Sequence, residues 1–77
     1  MNVKEMCAEI ERLDISNDLY SILKSGTPNE KLCLIYDGDW KIYYSDHGLK
    51  TGEKAFQSEA EACEVFLRKL KRYARVD

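Results

Sequence analysis

Proline occurs once, at Pro28, and histidine once, at His47. Because proline fixes φ and removes a backbone donor, a single one leaves nearly the whole chain free to form helix or strand. The one strong break falls at Lys24-Ser25-Gly26-Thr27-Pro28-Asn29-Glu30, a stretch of loop-forming residues. A lone histidine requires any imidazole base or metal centre to be built on His47. Cysteine is also scarce. Cys7, Cys33 and Cys63 are odd in number, far apart and set among apolar residues. Without a C-x-x-C or C-x-x-H pair they read as small core hydrophobes rather than zinc ligands, and neither a metal nor a cofactor is expected.

Long apolar runs are missing too. None approaches the roughly 18 residues of a membrane span, and Met1-Asn2-Val3-Lys4-Glu5 does not open as a secretory leader does. The expectation is a cytoplasmic chain with reduced thiols and no membrane association. Nor are there long runs of one charge: 12 basic and 14 acidic side chains give a net charge of −2. The last twenty residues are slightly basic and the body acidic, so the total carries no footprint of nucleic acid.

Against these absences, hydrophobic residues at 44% and charged residues at 34% place the chain among globular rather than disordered sequences. A chain of 77 residues builds one core, so residues 1–77 form a single domain.

Asn2 with Glu5 makes a capping box, and Val3, Met6, Cys7, Ile10 and Leu13 recur at helical spacing, predicting a helix over 3–13. Leu19 to Leu23 reads as a short strand. Leu32-Cys33-Leu34-Ile35-Tyr36 and Trp40-Lys41-Ile42-Tyr43-Tyr44 flank Asp37-Gly38-Asp39, and Asp-Gly between two β-rich runs is a strong hairpin signal. Alternation sends Trp40 and Ile42 to the core and Tyr43 to the opposite face. Gly48 and Gly52 bracket a turn, and Glu53 to Phe56 forms a short edge strand. Ser58 with Glu61 forms a second capping box for a helix over 59–74, whose acidic start and basic end complement its dipole. The predicted architecture is α+β in two layers. An antiparallel sheet of three or four strands carries an N-terminal and a C-terminal helix on one face, in the order α-β-β-β-(β)-α.

The chain holds no nucleophile elbow, phosphate loop or His-Glu-x-x-His pair, and Asp46 beside His47 in an extended segment is not an assured hydrogen-bonded pair. The expectation is a binding protein, not an enzyme. Tyr43 on the helix-free face, with Tyr20, offers aromatic anchors; Asp37, Asp39, Asp46, His47 and Lys50 offer a charged rim suited to a basic partner. The same aspartates repel phosphates, which argues against a single-stranded RNA platform.

Residues Leu19-Tyr20-Ser21, Pro28-Asn29-Glu30, Leu32-Cys33-Leu34, the run from Trp40 to Gly48 and the run from Phe56 to Leu67 together resemble a family of small immunity proteins from bacterial polymorphic toxin and contact-dependent inhibition systems. In that family the hairpin strand reads Trp-x-Val-Tyr-Tyr-Ser-Glu-Arg-Gly. Tyr43, Tyr44, Ser45 and Gly48 match it, whereas Asp46 stands in place of the glutamate and His47 in place of the arginine. The resemblance implies a non-catalytic protein that binds and neutralises a cognate toxin. The acidic body leans toward a basic, nuclease-type toxin. The anchors and rim named above follow from expected exposure and not from the family. The competing readings are a homo-oligomeric regulatory module, pairing edge strands or tyrosine faces, and a small nucleic-acid binder.

Overall fold

The first capping box forms as its chemistry dictates. Asn2 Oδ1 accepts from the Glu5 backbone N–H at 2.8 Å, and Glu5 Oε1 accepts from the Asn2 N–H at 3.1 Å. In the computed structural model, which describes residues 1–23, 30–47 and 49–75, helix α1 follows over Val3–Arg12. After it come β1 (Tyr20–Ile22), β2 (Lys31–Asp37), β3 (Asp39–Asp46), β4 (Leu49–Phe56) and α2 (Glu59–Ala74). Element order and α+β class agree with the pattern in the sequence. The loop expected over 24–29 and the turn glycine Gly48 lie outside the described residues.

The four strands stand in the order β1-β2-β3-β4. Antiparallel pairing holds for β2 with β3 and for β3 with β4, but β1 runs parallel to β2, with Tyr20 beside Leu32 and Ile22 beside Leu34. The sheet is therefore mixed rather than wholly antiparallel. Parallel neighbours normally need a crossover of a dozen or more residues, which is why so short a connection reads as antiparallel in sequence. A second difference concerns β4, which begins at Leu49 and takes in residues expected to turn. A bulge accommodates them: the register slips between Ile42 and Tyr44, and Gly52, at φ +63°, occupies the left-handed region that glycine enters at little cost. In α2 only one arm of the expected capping box is present, Ser58 Oγ accepting from the Glu61 N–H. Glu59 Oε2 accepts instead from the Val3 N–H at 3.0 Å, which ties the start of α1 to the start of α2.

Leu32, Leu34 and Ile42 point from one sheet face into a core completed by Met6 and Ile10 of α1, Ile15, and Ala62, Cys63, Phe66, Leu67 and Leu70 of α2. Full burial of a side chain of the larger kind contributes roughly 1.5–3 kcal/mol. Trp40, Phe56, Tyr20 and Ile22 pack around the margin of this core. Trp40 is half-buried there, less enclosed than its expected place in the interior. Among the described residues no helix is long and apolar enough to cross a membrane.

The other sheet face has its own small interior. Ser21, Cys33, Tyr43 and Ser45 are all buried, and Tyr43 is only 4% exposed. The small side chains of Ser21 and Cys33 lie in register beside the ring, and the bulge of β4 falls opposite it. Lys50 Nζ sits 4.9 Å above the ring centroid, a cation–π contact. This corrects the sequence expectation: Tyr43 lies on the helix-free face, as alternation requires, yet it is covered.

Candidate functional site

At one end of the sheet the chain reverses at Gly38, whose φ of +77° supplies the turn. The flanking Asp37 and Asp39 stand directly opposite each other across the β2–β3 ladder, both exposed. Like charges facing across a hairpin cost stability, and among the described residues neither aspartate is paired with a cation. Next to them Tyr36 is 58% exposed, its ring 5.0 Å from that of Trp40 at an interplanar angle of 59°. Trp40 packs on the margin of the core, so the Tyr36 ring rests against a partly buried one. The tip thus presents an exposed aromatic ring on one face and two carboxylates toward the other.

At the opposite end, Asp46 and His47 close β3, with His47 Nε2 3.5 Å from Asp46 Oδ1. The two groups thus come within ion-pair range, at a separation longer than a normal hydrogen bond. One ligand atom from each of Glu30, Asp46 and His47 falls within 4.8 Å of the others, a donor set that divalent cations accept. Glu30 and His47 are exposed and Asp46 is partly so, which leaves these groups solvated and without a built cavity.

Beside them the Tyr44 and Tyr73 hydroxyls are 3.0 Å apart, their rings edge to face. The hydrogen bond to Tyr73, which holds the Tyr44 O–H in its protonated form, together with desolvation and nearby negative charge, pushes the Tyr44 hydroxyl up to about 12 from its ordinary 10.0. The folded state thus favours the neutral phenol. The stability this contributes is complete below pH 10 and is lost as the pH rises toward 12. Urea titrations across that range should show an alkaline loss of stability that shrinks in Tyr73→Phe, with tyrosinate absorbance appearing at lower pH.

The seven residues predicted to bind a partner do not form one patch. Asp37 and Asp39 lie at the hairpin tip, and Asp46, His47 and Lys50 lie at the far end of β3, about 23 Å away at roughly 3.3 Å per residue. Tyr20 is half-buried against the core and Tyr43 is covered, so neither projects as an anchor.

A third feature is not apparent from the sequence. Between α2 and β4 runs a groove of about 310 Å³ lined by Lys54, Phe56, Val65, Arg68, Lys69 and Arg72. The one-turn spacing of Arg68 and Arg72 is a signal that could point to it, but basic residues late in a helix already have an explanation in its dipole. Comparison with known protein families, with characterised proteins and with solved structures finds no match for this chain.

Proposed function

We propose that this chain is an immunity protein: it binds a cognate toxin domain in the bacterial cytoplasm and neutralises it by contact, without chemistry of its own. The observation that carries this reading is the hairpin tip. An exposed tyrosine resting on a tryptophan, next along the chain to two aspartates that face each other across the turn, combines a bare aromatic ring with a like-charge conflict, and such features are expected where a partner binds. Interface anchors are typically aromatic, rigid and rimmed by charge. The resemblance supports the same reading. Many of its shared positions, Tyr43, Ser45, Ala62 and Cys63 among them, are buried and belong to the scaffold. The tip at Asp37-Gly38-Asp39 lies outside the quoted motifs, where specificity for one toxin would reside.

Tyr36 takes the anchoring role that the sequence suggests for Tyr43 and Tyr20, with Asp37 and Asp39 as its rim. Their charge suits a basic toxin surface and would speed encounter at low salt. Self-association through the exposed β4 edge is disfavoured, since Lys50, Lys54 and the bulge all obstruct pairing with a second copy.

The test is titration calorimetry against the toxin domain encoded beside this chain. Tyr36→Ala and the double variant Asp37→Lys with Asp39→Lys should each weaken binding by about 2 kcal/mol or more while circular dichroism stays unchanged. Wild-type affinity in both would move the interface away from the tip. Failure of the unaltered chain to bind any adjacent toxin domain would refute the immunity reading itself.

A further inference from the structure

The groove between α2 and β4 brings four cations together around two apolar side chains. Lys54, Arg68, Lys69 and Arg72 are all exposed, whereas Phe56 and Val65 are half-buried at its floor. No acidic residue lines it. Among the described residues none of the four cations takes part in an ion pair, although the chain as a whole is acidic. Four positive charges around one concavity repel one another, and an anionic occupant would relieve that repulsion.

The form of the groove narrows the occupant. Its cations lie along the middle and later turns of α2, away from the helix N-terminus whose free N–H groups would cradle a compact phosphate. Arg68 and Arg72 are spaced by one turn, about 5–6 Å, close to the interval of about 6.6 Å between alternate side chains of an extended chain. Guanidinium groups match carboxylates two hydrogen bonds at a time. The floor of Phe56 and Val65 suits apolar side chains, and no ring stands exposed in the groove as a platform for stacked bases. We infer that this groove is a docking site for an extended, carboxylate-bearing segment of a protein partner, with acidic side chains meeting Arg68, Arg72 and Lys54 and apolar ones resting on Phe56 and Val65.

No toxin is needed to observe this docking, so it stands or falls separately from the immunity reading. Fluorescence anisotropy with the intact chain would use a labelled peptide of alternating glutamate and valine, its lysine–valine counterpart, a single-stranded oligothymidine and inorganic phosphate as competitor. The acidic peptide should bind and the basic one should not. Arg68→Glu with Arg72→Glu should lose at least about tenfold in affinity, two charge-assisted contacts being removed. Arg68→Lys with Arg72→Lys, which keeps the charge but not the fork, should fall between. Thermal melts monitored by circular dichroism would confirm that these exposed substitutions leave the fold intact. Equal peptide affinity in the wild type and the glutamate variant would overturn the proposal, as would displacement by phosphate alone. Tighter binding of the oligothymidine, lost in the same variant, would overturn it in favour of a nucleic-acid groove.

Discussion

Phe66→Ala is expected to leave the chain without a cooperative urea transition at room temperature. Phe66 is fully buried and is the largest side chain so enclosed, set on α2 among residues of the sheet, Ile15 and α1. Truncating such a ring removes its transfer free energy and leaves a cavity that a close-packed interior fills only in part, a loss of about 3–5 kcal/mol. Single cores in chains of this length rarely supply more than about 3–5 kcal/mol in total. The substitution therefore consumes the whole margin. A sigmoidal urea curve with a midpoint near that of the wild type would show that the core does not depend on this ring.

Replacement of Tyr43 by alanine should be nearly as damaging, by about 3 kcal/mol, although the residue faces away from both helices. At 4% exposure its ring is the body of the second, smaller interior, and burial also pushes its hydroxyl and the neighbouring Cys33 thiol above their ordinary values. Tyr36→Ala supplies the contrast. With more than half its surface in water, Tyr36 contributes to folding chiefly through its cross-strand contact with Trp40, and its loss should shift stability by no more than about 1 kcal/mol while removing the proposed anchor. Urea denaturation of the two variants side by side separates the roles. If Tyr36→Ala unfolds the chain and Tyr43→Ala does not, structural and contact tyrosine have been exchanged. Trp40, which alternation sends to the interior, is half-buried at the core margin and should cost less than Phe66 when truncated.

Elements with strong local determinants are legible in the amino-acid sequence. Asn2 and Glu5 mark the start of α1, the apolar spacing from Ala62 to Leu70 marks α2, and Asp-Gly between two β-rich runs marks the β2–β3 hairpin. Alternation also divides β3 correctly between two faces. What alternation cannot reveal is how much of a face is covered by side chains from its neighbours. The burial of Tyr43 depends on the small residues at Ser21 and Cys33, on Lys50 above the ring and on the bulge of β4, none of them local to β3. For the same reason Tyr36, the last residue before a turn, does not stand out in the sequence as an anchor. The parallel setting of β1 is equally hidden, because three residues carry no signal of direction. The basic groove needs α2 and β4 to be side by side, and spacing along one helix shows only half of it.

The tie between Glu59 and the Val3 N–H spans 56 positions of sequence. By contrast β1, β2, β3 and β4 follow one another along the chain and each pairs with its immediate neighbours in sequence. Contacts that close short loops lose little chain entropy and form early, whereas those that close long loops wait for a surface to receive them. The four-stranded sheet is thus the natural nucleus. Docking of the two helices completes it, and since α1 packs on α2, an emerging chain cannot seat its first helix until the last has been made.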